Sequence, residues 1–208
     1  MKQRGVITVV SGPSGCGKNS IINAARSINK DLSYVTSATT REIRSGEAEG
    51  VNYYYKTNEE FTALIESGEI LEWDYFCGNR YGTLKSEILK KIEAGNDLLL
   101  DLTIAGAIAV KEAFPEDAVS VFILPPSIEE LRRRLYLRKR ETEEQIESRI
   151  QTAVEKEIPC VDKFDYVIVN DVLEKASDTL LGIISAEASQ YKRNVDILND
   201  LNLKGENV

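Results

Sequence analysis

An α/β fold built on a buried, mostly parallel sheet is what this sequence predicts, on three observations. Short apolar runs recur at Val6–Ser11, Ile70–Phe76, Leu98–Asp101, Ala118–Leu124 and Tyr166–Val169. Stretches of helical periodicity separate them, the alternation of βαβ units. The first run leads directly into a glycine-rich segment, GPSGCGKNS at 12 to 20, and a helix-compatible stretch, IINAARSI, follows it.

Taken in order, each element has its own signal. Val6–Ser11 is a strand and the segment after Lys18 a helix. Residues 37 to 57, SATTREIRSGEAEGVNYYYKT, hold Gly, Thr and Tyr without a helical period and predict a small β-rich insertion. Thr57-Asn58-Glu59-Glu60 is a capping box that opens a helix ending before Gly68. Ile70–Phe76 reads as the next strand, and Gly95 closes a helix spanning roughly 84 to 94. Strands at Leu98–Asp101 and Ala118–Leu124 follow, then a second capping box at Ser127-Ile128-Glu129-Glu130. The stretch RRRLYLRKRETEEQ is strongly charged and expected to be exposed. Ile146, Ile150, Ala153 and Val154 form one stripe of a helix from about Glu143 to Ile158. Tyr166–Val169 is the last strand, and the tail from Tyr191 is expected to continue the last helix before fraying.

Bulk properties bound the function. A chain of 208 residues, 42% hydrophobic and 29% charged, is long enough for one sizeable core. Its 26 basic against 34 acidic residues give a net charge of −8, which argues against nucleic acid as partner. The N-terminal apolar stretch is too short for a signal peptide or a membrane span. Cysteines at 16, 77 and 160 form no CxxC, so neither a disulfide framework nor a zinc site is expected, and a reduced, cytoplasmic location fits. The chain has no histidine, which excludes a Ser-His triad and any His-ligated metal.

The glycine-rich segment carries the chemistry. Gly12, Gly17 and Lys18 satisfy G-x-x-x-x-G-K between a strand and a helix. Successive backbone N–H groups of such a loop converge on phosphate oxygens, the helix N-terminus adds positive potential, and Lys18 reaches the β- and γ-phosphates. The Ser or Thr normally found next is Asn19, with Ser20 one place later. Cys16 reads as a small side chain at a variable position. Asp101 ends the strand LLLD, where a carboxylate can hold Mg²⁺ through water. Alone it reads as a helix cap; beside Lys18 the metal reading is preferred.

Beyond the loop, S-x-TTR-x-x-R-x-GE-x-x-G-x-x-Y at 37 to 53, LEW at 71 to 73, GN-x-YGT at 78 to 83 and FDYVIVND at 164 to 171 follow in order. Together with GPSGCGK this series resembles the guanylate kinases, over about residues 5 to 190. The resemblance implies a P-loop three-layer α/β/α core with a parallel sheet (1–36, 84–125 and 160–208), a GMP-binding insertion (37–83) and a helical lid (126–159). It implies ATP on the loop residues Gly12, Pro13, Ser14, Gly15, Cys16, Gly17, Lys18, Asn19 and Ser20, with Asn170 near the adenine. Mg²⁺ would be held by Asp101 and Ser20, through water.

For GMP, Arg41 and Arg44 with the hydroxyls of Tyr53 and Tyr81 would clamp the monophosphate, since guanidinium forks match phosphate oxygens. Glu72 would read guanine by accepting from N1–H and N2–H₂, a donor pair adenine lacks, with Ser37 and Thr83 donating to O6. Lid arginines matching the family are Arg138 and Arg149, with Arg134 a weaker candidate; Arg132, Arg133, Lys139 and Arg140 read as a solvated helix face. Lys18, Arg41, Arg138 and Arg149 are the expected catalytic set, moving the ATP γ-phosphoryl group to GMP or dGMP in a monomer or homodimer. Three departures stand against the family pattern: Asn19, Thr103 and Ala105 in DLTIAG where D-x-D-x-QG is usual, and a lid without its glycine. Two alternatives remain beside this reading: a related kinase acting on ribose 1,5-bisphosphate, and a non-catalytic interaction module of the same fold.

Overall fold

A computed structural model describes residues 4–76, 78–137 and 142–195. In chain order the elements are β1 (Ile7–Ser11), α1 (Lys18–Ile28), β2 (Ala38–Thr39), β3 (Tyr54–Tyr55), α2 (Asn58–Glu66), β4 (Ile70–Phe76), β5 (Asn79–Leu84) and α3 (Lys85–Glu93). They continue with β6 (Leu98–Asp101), α4 (Ile104–Ala113), β7 (Ala118–Leu124), α5 (Ile128–Leu137), α6 (Glu143–Thr152), β8 (Tyr166–Val169) and α7 (Leu173–Ala188).

The core sheet runs β6-β1-β7-β8 and every pairing in it is parallel. Strands of such a sheet are covered on both faces, which is why they read as continuous apolar runs. Alternate side chains face opposite ways. Ile7, Val9, Leu98 and Leu100 meet Ile88 and Ile92 of α3, Ala107 and Val110 of α4, and Phe114 just past its end. Val10, Leu99, Val121 and Ile123 meet Ile21, Ile22 and Ala25 of α1 and Ala176, Leu180 and Ile184 of α7. The result is three layers, helices on either side of one sheet. Fully burying each of Ile7, Ile21 and Ile88 contributes about 1.5–3 kcal/mol.

A second sheet, ordered β3-β2-β5-β4, corrects the apolar-run reading that grouped Ile70–Phe76 with the parallel strands. β4 pairs antiparallel with β5, with Glu72 opposite Thr83 and Asp74 opposite Tyr81. Its sequence, ILEWDYF, interleaves carboxylates with apolar residues, the pattern of a strand with one open face. Phe61 of α2 packs with Ala38, Ile70 and Leu84 beneath this sheet. The Thr57 capping box is complete, its hydroxyl accepting from Glu60 N and the Glu60 carboxylate from Thr57 N. At Ser127 the hydroxyl accepts from Glu130 N, while the Glu130 carboxylate holds Arg133 and Arg134.

Over α5 and α6, Ile146, Ile150 and Ala153 pack on Leu131 and Leu135. Val154 does not join them and is 45% exposed. Regular α-helix ends at Thr152 rather than near Ile158: residues Ala153–Glu157 widen into a π-turn and Ile158–Lys163 tighten to 3₁₀ around Pro159. The change of pitch turns Val154 out of the stripe. α7 stops at Ala188, and the described part of the tail does not continue it: a 3₁₀ turn at Tyr191–Arg193 follows, anchored by Arg193 to Asp117 and to the Glu116 carbonyl, while 196–208 lie outside the described residues. Among the described residues no helix is long and apolar enough to cross a membrane.

Candidate active site

The loop between β1 and α1 wraps around the start of the helix. Gly12, Gly15 and Gly17 all adopt positive φ, and at Gly17 (φ 98°) a Cβ would stand 2.2 Å from Asn170 Nδ2, so only glycine fits there. Lys18 Nζ donates to the Gly12 carbonyl at 2.7 Å, folding its ammonium back over the loop. Cys16 is fully buried, and burial pushes its thiol up, the opposite of a reactive cysteine.

Two side chains brace this loop from outside. Asn170, buried at the end of β8, donates from Nδ2 to the Cys16 carbonyl at 2.8 Å. Arg134 of α5 donates to the same carbonyl at 3.1 Å and to Asn170 O at 2.8 Å, while Glu130 holds its Nε at 2.8 Å. Arg149 of α6 reaches Ser14 Oγ at 3.1 Å. Arg132 and Arg133 pair with Glu147 and Glu130 on the helix surface. Arg138, Lys139 and Arg140 lie outside the described residues.

Two recesses flank the loop. One, about 550 Å³, is lined by Ser14, Lys18, Asn19, Asp101, Thr103 to Ala105 and Glu157 among others. The other, about 320 Å³, is lined by Gly15, Gly17, Ser20, Arg134, Asn170 and Leu173 among others. Asn19 therefore shares a recess with Asp101, and Ser20 faces the opposite side, which separates the two residues expected to meet Mg²⁺. Partial desolvation raises the Asp101 carboxyl against the lowering pull of Lys18 and Arg26. Asp101 and Asn19 are hard oxygen donors beside Lys18, a set that fits Mg²⁺ held mostly through water.

The start of α4 borders the first recess and, one residue on, abuts the second sheet. Thr103 caps that helix, its Oγ1 accepting from Gly106 N at 3.1 Å, so threonine does here what an aspartate also does at an N-cap. Glu72 lies against the same turn: a Cβ on Gly106 would approach its Cγ at 2.8 Å and its Oε2 at 3.0 Å. Thr83 Oγ1 donates to Glu72 Oε1 at 2.9 Å, fixing the carboxylate. Desolvation raises the Glu72 pKa above the ordinary 4.5, only partly offset by Thr83.

The remaining expected residues cluster around β2, β3 and β5. Arg41 NH2 meets Glu47 Oε1 at 2.8 Å, and its guanidinium lies 5.4 Å from the Tyr53 ring centroid. Tyr53 and Tyr81 stack edge-on at 5.6 Å. Arg44 is exposed, and Ser37, half-buried, accepts from Tyr54 N through its carbonyl at 2.9 Å. The Arg41 charge and the Arg44 amide pull the Glu47 carboxyl down to about 2. Sequence reading passed over Glu47, although it stands in the GE pair of the matched series. It also left Gly106 and Glu157 aside; a glycine inside a helix is the available signal for the first, and none exists for the second.

A glycine-rich loop between strand and helix, braced by Arg134 of α5 and joined by one helical turn to a separate carboxylate-bearing sheet, is the frame of a P-loop kinase of the nucleoside monophosphate class. The guanylate kinase family profile matches residues 4–187. A guanylate kinase of Caldanaerobacter subterraneus subsp. tengcongensis is 46% identical over 197 residues, covering 95% of each chain. That of Carboxydothermus hydrogenoformans is 45% identical over 190 residues, 91% of this chain and 92% of the relative. The crystal structure of guanylate kinase from Anaplasma phagocytophilum superposes with a TM-score of 0.70 at 33% identity, covering 99% of both chains. The chain belongs to the guanylate kinase family.

Gly106 yields a direct test of this geometry. Gly106→Ala puts a methyl group against the Glu72 carboxylate while improving helix propensity by roughly 1 kcal/mol. The expected result is a raised KM for GMP, an unchanged KM for ATP and no loss of thermal stability, read by steady-state kinetics and a melting curve.

Proposed function

We propose that this protein transfers the γ-phosphoryl group of ATP to GMP or dGMP, releasing ADP and the nucleoside diphosphate. The observation that carries the reading is the shared turn at the start of α4. Thr103, Ile104 and Ala105 line the recess of Lys18 and Asp101, and the next residue, Gly106, backs Glu72. A donor phosphate at the loop and an acceptor base at Glu72 thus face one cleft.

The chemistry asks for little proton movement. A phosphate monoester has its second pKa near 6, so the acceptor oxygen is ionised at neutral pH and no general base is required. What the chain supplies is position and positive charge between two anions. Lys18 and the loop amides hold the donor's β- and γ-phosphates. Arg41 and Arg44, with the Tyr53 and Tyr81 hydroxyls, clamp the acceptor phosphate. Arg149, next to the loop at Ser14, acts from the lid region, and the family's other lid arginine corresponds to Arg138, which lies outside the described residues. Glu72 reads guanine; Thr83, whose hydroxyl donates to Glu72 Oε1, orients that carboxylate, which leaves Ser37 as the donor to O6. Asn170 and Arg134 line the adenine-side recess while bracing the loop. Asp101 and Asn19 would hold Mg²⁺, which, bound with ATP, would supply charge neutralisation on the phosphates.

The test is a coupled ADP assay with ATP, Mg²⁺ and a panel of acceptors. GMP and dGMP are expected to turn over and AMP to fail. Turnover of ribose 1,5-bisphosphate without GMP would replace the acceptor, and no turnover with any acceptor would favour an interaction module.

Acid provides a second check. Guanosine has no phosphate, so the pH dependence of its binding isolates Glu72. Because the folded pKa is raised, affinity is expected to fall with acidification from a higher pH than an ordinary glutamate near 4.5 would give. Calorimetry across pH 4 to 8, a range chosen about that value, reads it; affinity constant throughout would remove Glu72 from the base site.

A further inference from the structure

We propose that Glu47 is a positioning residue for the acceptor-phosphate clamp, holding Arg41 and the turn 41–47 in the orientation that receives a monophosphate. The inference rests on the GMP reading above and extends it to a residue outside the expected site.

Both carboxylate oxygens are used. Glu47 Oε1 accepts from Arg41 NH2 at 2.8 Å, and Oε2 accepts from the Arg44 backbone N–H and the Tyr55 hydroxyl, each at 2.8 Å. The turn closes on itself, with Glu47 N donating to the Arg44 carbonyl at 3.1 Å through Gly46 at φ 87°. Arg41 is tied at a second point, NH1 donating to the Glu42 carbonyl at 2.9 Å. The Arg41 and Glu47 side chains are only 12% and 20% exposed, so the pair is sheltered from the screening that weakens surface ion pairs. One carboxylate thus orders both stretches of chain that supply the arginines of the clamp. A guanidinium fork recognises phosphate through direction as well as charge, and a long side chain ordered on folding does not lose its rotamer freedom again at binding.

The test compares Glu47→Gln and Glu47→Asp with the unaltered protein. Glu47→Gln is expected to raise the KM for GMP roughly 10- to 100-fold, the scale of a misplaced binding group, with the KM for ATP unchanged. Guanosine, lacking the phosphate, should bind all three proteins equally. Glu47→Asp keeps the charge and should recover part of the loss. A GMP KM within about twofold of the original, or tighter GMP binding because the carboxylate competes for Arg41, would overturn the proposal. So would a matching loss of guanosine binding and melting temperature, the mark of a merely structural role. If the unaltered protein bound guanosine but phosphorylated no GMP, the acceptor reading itself would fall, a result distinct from these.

Discussion

Lys18→Ala is expected to lower kcat by about three orders of magnitude while leaving the Kd for GMP within about twofold. The size follows from the proposed role. The transferring phosphoryl group carries charge in a site with little water, and one fixed cation aimed at that charge supplies several kcal/mol of transition-state stabilisation. The acceptor side is untouched, because Glu72 and Tyr81 belong to the second sheet and Arg41 to the loop after β2, while the ammonium bonds the Gly12 carbonyl. The substitution also removes the hydrogen bond to the Gly12 carbonyl, worth about 1 kcal/mol. A melting temperature lowered by no more than about 2–4 °C is therefore expected, which separates lost chemistry from lost fold. Single-turnover kinetics with calorimetry on the same preparation reads both quantities.

Glu72→Gln carries the other large effect: kcat/KM for GMP is expected to fall by up to about 10⁴-fold, with the KM for ATP unchanged. Guanine offers two adjacent donors, N1–H and N2–H₂. A carboxylate accepts from both, whereas a carboxamide presents one acceptor and one donor. Thr83 donates to Oε1 and so favours an oxygen there, leaving the amide nitrogen for the base, donor against donor. The variant should not be less stable. A folded carboxyl with a raised pKa opposes folding above its unfolded pKa, so at neutral pH the charge of Glu72 costs the empty protein stability. Removing that charge is expected to hold or raise the melting temperature while binding collapses.

Much of this was legible in the sequence, for identifiable reasons. β6, β7 and β8 carry the expected bounds, and β1 differs by one residue, because each is an unbroken apolar run with sharp ends, in β1 and β7 from cover on both faces and in β8 despite an open face at Val167 and Val169. The phosphate loop was legible because its chemistry needs glycine at fixed spacing. β4 was found, but its apolar run alone grouped it with the parallel strands, since seven residues record their own faces and not their neighbours; only the family resemblance put it in the insertion. The widening at Ala153–Glu157 leaves no periodicity to read, so Val154 was counted into a stripe it does not join. Contacts between distant residues were the least legible: the Arg134 bond to the Cys16 carbonyl joins positions 118 apart. Arg134 stood as a weaker candidate for the lid, and its place between the loop and Asn170 emerges only from the fold. Asn19, read as a bulky departure, shares its recess with Asp101, while Ser20 opens to the other side.

The central claim is that one cleft holds a phosphate donor at Lys18 and a guanine acceptor at Glu72. Isothermal titration of the full chain with GMP, and separately with AMP, tests it most directly. The account expects saturable GMP binding that Glu72→Gln abolishes and Lys18→Ala spares, with AMP at least about 100-fold weaker. No heat from GMP at millimolar concentration, or equal affinity for the two nucleotides, would contradict it.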